Sequence, residues 1–275
     1  ELKVIALTEP LTLDRWHERV EQINRTARRE YHAQILKRGG QVRNLFFKAG
    51  AISTRQMPQD LLMNTAGDPG RRCYPLALLT ASALAQGESA ERALIGRVAN
   101  AGKTPDDADS RALLLARDEL HQTPVTDHGT ALGLHGVEGV VQMLQAKTAP
   151  AVMLLDTGNH ALLVAKVMQG DTPVFRFYDP NFAIFGFAGA PELTLGMALY
   201  LSAGKSAMAR LYGLDDIAKA QFNVIELNTT KIADTVLSSN LRLDSFLHSE
   251  AITDIQGVSV WGKQALGRTR SLNEN

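Results

Sequence analysis

Residues 159–182 read NHALLVAKVMQGDTPVFRFYDPNF, and this stretch decides the fold of the chain. Two apolar runs rich in Val, Leu and Phe flank the turn residues 169–172, a pattern typical of an antiparallel β-hairpin. Similar short apolar runs predict strands at 151–155, 160–168, 174–178, 182–187 and 222–227. The second half of the chain is therefore expected to form an antiparallel sheet.

Helical spacing dominates the first half of the chain and interrupts the second. Apolar residues at this spacing predict helices at about 11–37, 75–87, 89–99, 107–120, 136–147, 193–203, 205–212 and 230–238. The first of these helices is expected to stop at Gly39-Gly40. Helices followed by an antiparallel sheet predict the α+β class.

The composition excludes several classes of protein. The chain has 275 residues, 29 Lys and Arg against 29 Asp and Glu, and 45% apolar residues. The balanced charge argues against a nucleic-acid partner, which calls for a basic excess. No apolar run reaches the ~20 residues that cross a bilayer, so no integral membrane segment is expected. One cysteine rules out an internal disulfide framework and a multi-cysteine zinc site.

The single cysteine, Cys73, stands where a nucleophile is expected. It follows a Gly- and Pro-containing loop, adjoins Arg71 and Arg72, and precedes a helix with Pro75 in its first turn. A helix N-terminus and neighbouring cations both lower a thiol pKa and favour the nucleophilic thiolate. The alternative is a buried cysteine that acts only as a small apolar side chain.

A cysteine nucleophile needs a general base, and His160 is the histidine best placed for that role. It opens an apolar strand directly after the turn 156–159, whereas the other histidines fall on solvated helices, in polar loops or in the tail. The predicted hairpin places Pro180 or Asn181 opposite His160. Asp179 is then one or two positions away and is expected to orient the imidazole. The Asp-Pro-Asn sequence is equally typical of a simple turn.

These motifs resemble a known family. The tripeptide Arg72-Cys73-Tyr74, the segment Asn159-His160-Ala161 and the segment 177–187 (FYDPNFAIFGF) are similar to the YopT/AvrPphB-type papain-like cysteine peptidases of bacterial effectors. The closer similarity is to the Makes-caterpillars-floppy (Mcf) effector family and its relatives within MARTX toxins of Vibrio and similar bacteria. Members of that family carry an Arg-Cys-Asp/Tyr tripeptide at the nucleophile. The resemblance covers roughly residues 70–190.

The resemblance implies roles for individual residues. Cys73 would attack the scissile carbonyl, His160 would act as base and then as acid, and Asp179 would orient His160. Arg72 and Tyr74 would flank the nucleophile. No metal and no cofactor is implied.

The resemblance also implies a domain organisation. The expected parts are an N-terminal helical region at 1–64, a papain-like catalytic core at 65–230 and a C-terminal helical extension at 231–275. The chain opens at Glu1 rather than Met, which is compatible with excision from a longer protein and equally with recombinant expression.

The implied function is a self-processing effector of a secreted bacterial toxin, delivered to the host cell cytosol. The family binds host ADP-ribosylation factor (ARF) GTPases, which stimulate cleavage near the effector's own N-terminus and offer a route to Golgi membranes. The expected partners are therefore a host ARF GTPase and a protein substrate, including the chain's own N-terminal junction.

Two alternative functions stay open. The same triad serves glutamine deamidation and acyl transfer, because all these reactions pass through an acyl-enzyme. The other alternative is an adaptor that grips a host GTPase and uses catalysis only for its own release. An arginine stripe on the first predicted helix is typical of a solvated face, but it could dock an acidic partner or a membrane surface; it comprises Arg15, Arg19, Arg25, Arg28 and Arg29.

Two smaller questions concern an oxyanion donor and a metal ion. The side-chain amides of Gln59 and Asn64 both lie upstream of the nucleophile, and no motif chooses between them. The acidic cluster Asp106, Asp107 and Asp109 could attract a metal ion. Its position favours the first turn of a helix, where acidic side chains interact well with the helix dipole.

Overall fold

The computed structural model describes residues 12–62, 72–201, 208–214 and 221–253. The helices are α1 Leu13–Lys48, α2 Cys73–Gln86, α3 Glu88–Lys103, α4 Ala108–His121, α5 Val137–Ala146, α6 Ala190–Leu201, α7 Met208–Leu211 and α8 Thr229–Asp234. The strands are β1 Ala51–Gln56, β2 Gly129–His135, β3 Ala151–Asp156, β4 Ala161–Gln169, β5 Thr172–Asp179, β6 Ala183–Phe187 and β7 Phe222–Leu227. Short 3-10 helices lie at Gln59–Leu62, Val125–Asp127 and Leu243–Leu247. The α+β prediction is confirmed.

In the part of the chain that the structure describes, one seven-stranded antiparallel sheet organises the fold, in the order β1-β6-β5-β4-β3-β7-β2. Its two faces are covered by separate apolar clusters. Helices α2, α3 and α4 contribute to one cluster, and α1, α5 and α6 contribute to the other. The central strands are buried on both faces, which explains why β3 and β4 read as nearly continuous apolar runs.

The hairpin that the sequence predicts is present as β4 and β5. Its register pairs Leu163 with Tyr178 and Gln169 with Thr172 across a turn at Gly170, whose φ of 60° suits glycine. Continuing this register past the end of β4 places His160 opposite Asn181, one of the two predicted partners. The prediction of the pairing is confirmed.

The first helix differs from the prediction. Instead of stopping at Gly39-Gly40, α1 continues to Lys48. Val42 and Phe46, beyond the glycines, are buried against the sheet, and this packing outweighs the low helix propensity of glycine. Among the described side chains nearer its start, four large apolar ones are exposed: Leu13, Trp16, Val20 and Ile23.

The arginine stripe is only partly described. The side chains of Arg15 and Arg19 are exposed, and those of Arg25, Arg28 and Arg29 lie outside the described part of the chain. Of the residues that the structure describes, none forms a helix long and apolar enough to cross a membrane.

Two strands were not predicted, and both are edge strands. β1 falls in the stretch predicted as helical, and β2 falls in a stretch taken as polar loop. Each is partly exposed and carries a register irregularity, so neither shows a clear apolar alternation.

The acidic cluster at 106–109 lies at the start of a helix, as predicted. The Asp107 carboxylate accepts a hydrogen bond from the Ser110 N–H (2.7 Å) and caps α4.

Candidate active site

Cys73 is the first residue of α2, as the sequence predicts. Arg72 occupies the N-cap, and its carbonyl accepts the Leu76 N–H at 3.2 Å. Nearly all of α2 after its first turn is buried, so the helix start is fixed against the sheet. The preceding stretch 63–71, with Arg71 and Asn64, lies outside the described residues.

A tight turn positions His160 at the start of β4. The Gly158 N–H donates to the Asp156 carboxylate (2.8 Å), and the His160 N–H donates to the Thr157 hydroxyl (3.1 Å). The Thr157 N–H in turn donates to the His160 carbonyl (3.0 Å). The imidazole Nε2 lies 2.9 Å from Oδ1 of Asp179, and the same imidazole lowers the pKa of the neighbouring Cys73 thiol. Cys73, His160 and Asp179 therefore form one line of contacts.

Asp179 is fully buried, and its carboxylate has a complete set of donors. His160 Nε2 and the Asn181 N–H (2.8 Å) reach Oδ1. The hydroxyls of Tyr200 and Tyr212 reach Oδ2, the latter at 2.5 Å. A carboxylate offers about four lone-pair positions, so this one is saturated. Saturation holds it ionised and in a single orientation.

The electrostatics of the three side chains are coupled. Burial raises the pKa of the Cys73 thiol, but the hydrogen bond and charge of His160, with the N–H groups of Ala161 and Tyr74, outweigh burial and bring that pKa below its ordinary value. Burial lowers the pKa of His160, yet the Asp179 carboxylate and the thiol raise it well above the usual range. The arrangement thus favours a thiolate–imidazolium pair.

Burial also acts against the charge of Asp179. It raises the pKa of the carboxyl group, whereas the His160 imidazole and the two tyrosine hydroxyls lower it by a larger amount. The net direction is downward, so Asp179 stays ionised beside the imidazole.

The two tyrosines were missed by sequence reasoning. The Tyr212 ring stacks on the His160 imidazole, with centroids 4.3 Å apart and planes 13° apart. Its hydroxyl also accepts a hydrogen bond from Asn181 Nδ2 (2.9 Å). Just before it, the Leu211 carbonyl accepts from Asn159 Nδ2 (3.2 Å), which ties this segment to the turn before His160. No local sequence signal marks either tyrosine.

Of the two amides considered for the oxyanion, Gln59 is described and Asn64 is not. Gln59 is buried, its N–H donates to the Pro180 carbonyl (2.5 Å) and its Nε2 to Asn181 Oδ1 (2.5 Å). Its role at an oxyanion stays a prediction. The flanking Arg72 pairs with Asp60 at 3.7 Å, and both side chains are buried.

Within the described ranges, no group of three or more His, Cys, Asp or Glu side chains is arranged to hold a metal ion.

Comparison with known proteins places this chain in a family. The family described as Mcf1 protease effector domain matches residues 2–257. The chain belongs to the Mcf1 protease effector domain family. A second match is the multifunctional-autoprocessing repeats-in-toxin of Vibrio vulnificus, 27% identical over 205 residues that cover 63% of this Mcf1-type chain. The chain spans about 4% of that toxin's length.

Solved structures support the fold of this Mcf1-type domain. PatoxP, a cysteine protease-like domain of the Photorhabdus asymbiotica toxin PaTox, superposes with a TM-score of 0.59 at 17% identity, covering 82% of this chain and 69% of that chain. At this identity the likeness shows the fold alone. The Pseudomonas avirulence protein AvrPphB matches 64% of this chain and 95% of its own at 14% identity, but a TM-score of 0.33 is too low to support an argument.

Proposed function

We propose that this domain is a cysteine peptidase in which Cys73, His160 and Asp179 form the catalytic triad. The observation that carries the proposal is the line of contacts from thiol to imidazole to carboxylate, at the start of a buried helix. The lowered pKa of Cys73 and the raised pKa of His160 add the charge state that a thiolate nucleophile needs.

Each step of the reaction has a residue to perform it. The Cys73 thiolate attacks the carbonyl carbon of the scissile bond, and the carbonyl electrons move to the oxygen. The His160 imidazolium gives its proton to the leaving amine as the C–N bond breaks, which leaves a thioester. Neutral His160 then takes a proton from water, the hydroxide attacks the thioester, and the thiolate is released. Backbone N–H groups at the start of α2, with Gln59 or Asn64, would stabilise the oxyanion.

Tyr212 is proposed as a positioning residue for His160. The stacked ring restricts rotation of the imidazole about its side-chain bonds, and the hydroxyl fixes the carboxylate that binds Nε2. Tyr200 contributes only the second of these, because its contact is with Asp179. Catalysis requires the imidazole to be held within a narrow range of orientations, and two independent restraints supply that.

Family membership supports three further parts of the proposal, which concern the place of action, the substrate and the stimulating partner. The domain acts in the host cell as part of a delivered bacterial toxin and cleaves a protein substrate that includes its own N-terminal junction. Binding of a host ARF GTPase stimulates cleavage and leads the effector to Golgi membranes. The parts 1–64, 65–230 and 231–275 remain the proposed domain organisation.

N-terminal labelling of a eukaryotic cell extract tests the proposal. The extract, supplemented with an ARF GTPase loaded with a GTP analogue, is incubated with the wild type, Cys73→Ala or His160→Ala, and new N-termini are sequenced by mass spectrometry. New N-termini in the extract proteins or in the domain itself are expected only with the wild type. Equal termini in all three samples, or none in any, would show that the triad does not cleave peptide bonds. A +1 Da change at glutamine without new termini would instead identify a deamidase.

A further inference from the structure

A groove opens between α1 and the β1–β6 edge of the sheet. It has a volume of about 320 Å³, and its walls include Leu36, Gly39, Gly40, Thr54, Leu61 and Phe182. We call it the α1 groove. Elsewhere on α1, buried side chains such as Phe46 fill the space between the helix and the sheet, so the opening is local.

Close packing does not explain why glycine occupies positions 39 and 40 in the groove wall. A Cβ built on Gly40 would meet nothing within 4 Å, and one built on Gly39 would meet only Phe182 Cδ1 at 3.9 Å. At Gly102, by contrast, a Cβ would collide with the Leu61 backbone, so glycine is required there. Adjacent glycines weaken the interior of a helix. Because Gly39 and Gly40 have no side chains, they leave space in the groove.

Two further observations indicate an occupant. Leu36 and Leu61 stand at the rim with 65% and 39% of their surface exposed, so apolar surface borders the opening on both sides. Inside, the Thr54 hydroxyl oxygen is buried and has no hydrogen-bond partner. Buried polar atoms are normally satisfied, so a partner for this hydroxyl is expected to come from the occupant. An apolar side chain with its own backbone amide or carbonyl fits both features.

The groove lies beside the candidate active site. Asn181 lines the groove, and its N–H binds Oδ1 of Asp179 at 2.8 Å. Asp60 also lines it and pairs with Arg72, the neighbour of Cys73. An extended protein chain advances about 3.3 Å per residue, so a substrate bound across Cys73 also covers surface several residues to either side of the scissile bond.

We propose that the α1 groove is a substrate subsite that receives a large apolar side chain of the protein being cleaved. The proposal rests on the peptidase function proposed above and adds to it a specificity determinant. Gly39 and Gly40 are kept small to admit that side chain, and Leu36 and Leu61 contact it. The Thr54 hydroxyl hydrogen-bonds the backbone of the same segment.

Cleavage profiling with a peptide library tests this assignment. Peptides from digested cell extract are incubated with the wild type, Gly40→Leu or Gly96→Leu, each with an ARF GTPase loaded with a GTP analogue, and the cleaved positions are sequenced. Gly96→Leu is the matched control, because Gly96 also lies within a helix with nothing within 4 Å of a built Cβ, and it does not line the groove.

The wild type and Gly96→Leu are expected to select large apolar residues at one fixed distance from the scissile bond. Gly40→Leu is expected to lose that selection and to cleave these peptides at least tenfold more slowly, while iodoacetamide alkylates Cys73 at the wild-type rate. If Gly40→Leu selects the same residues as the wild type, or if the wild type cleaves without apolar selection, the subsite proposal is overturned and the peptidase proposal stands. A Gly40→Leu defect that disappears when the GTPase is left out assigns the groove to the GTPase instead. Absence of any cleavage by the wild type overturns the peptidase and the subsite together.

Discussion

Two regions at the same end of the sheet are built in opposite ways. Around Asp179 every acceptor position is filled by a donor, and the carboxylate is fully buried. In the α1 groove two glycines, an unpartnered hydroxyl and exposed leucines leave space and unused contacts. The difference indicates that the two regions have different functions. The closed region holds reacting groups in a fixed geometry, and the open region admits a segment from another chain.

The largest effect is expected at the nucleophile and the base. Cys73→Ala and His160→Ala should each lower the cleavage rate at least about 10⁴-fold, because neither half of a nucleophile–base pair acts without the other. Rates are measured on peptides found in the library profile. The double variant should be no slower than either single variant, and additive losses would contradict a shared role.

Removal of the buried carboxylate tests the closed region. Asp179→Ala should reduce the free energy of unfolding by about 3–5 kcal/mol, since it leaves His160 and two tyrosine hydroxyls without their acceptor in a buried site. Chemical denaturation measures this loss. Asp179→Asn, which keeps the shape, should be more stable than Asp179→Ala, and equal stability would mean that the donors are satisfied in another way.

The tyrosine pair separates stacking from hydrogen bonding. Tyr212→Leu removes the ring over His160 and a hydroxyl on Asp179, so kcat should fall by roughly 10² if each restraint contributes about 1–1.5 kcal/mol. Tyr212→Phe keeps the ring and should recover about half of that loss on a logarithmic scale. Tyr200→Phe is the control that removes only a hydroxyl.

The pH dependence of the same variants distinguishes positioning from general destabilisation. Both hydroxyls lower the pKa of Asp179, so loss of either one should raise that pKa. The acid limb of the rate profile should therefore move to higher pH. An unchanged profile with a reduced melting temperature would show a purely structural role for both tyrosines.

The charge state of the thiol gives a further prediction. In the wild type the pKa of Cys73 lies below its ordinary value, so the pH midpoint of its alkylation by iodoacetamide should lie below that of a free thiol. In His160→Ala the largest remaining influence is burial, which raises the pKa, so the midpoint of alkylation should move to higher pH than in the wild type. A midpoint that does not move would exclude a thiolate–imidazolium pair.

The smallest expected effect lies in the open region. Gly40→Ala should raise the free energy of unfolding by about 0.5–1 kcal/mol, since alanine is the better helix former and the added methyl meets no atom within 4 Å. Gly96→Ala is the matched control with a similar expected gain. A destabilised Gly40→Ala would mean that the groove cannot accept even a methyl group.

The parts that could be predicted from sequence depend on short-range patterns. Apolar runs gave the central strands, and the turn at Gly170 fixed the register that brings Asp179 near His160. The position of Cys73 at a helix start followed from the loop and proline around it. Each of these features is decided by residues within 19 positions of one another, so local patterns were sufficient.

The parts that could not be predicted depend on long-range packing. Tyr200 and Tyr212 reach Asp179 because α6 and the turn that ends α7 pack beside the carboxyl end of β5. α1 passes through two glycines because Val42 and Phe46 pack on the sheet. β1 has little apolar character because it lies at an edge, and its pairing with β6 is decided by residues far along the chain.

A trapped acyl-enzyme tests the central claim most directly. The wild type is mixed with a peptide that it cleaves, quenched in acid within the first turnover, digested and analysed by mass spectrometry. We expect a thioester on Cys73 whose added mass equals that of the N-terminal product of the peptide less one water, because water enters only when the thioester is hydrolysed, and we expect none in His160→Ala. An adduct on another residue, or cleavage that proceeds in Cys73→Ala at the wild-type rate, would contradict Cys73 as the nucleophile.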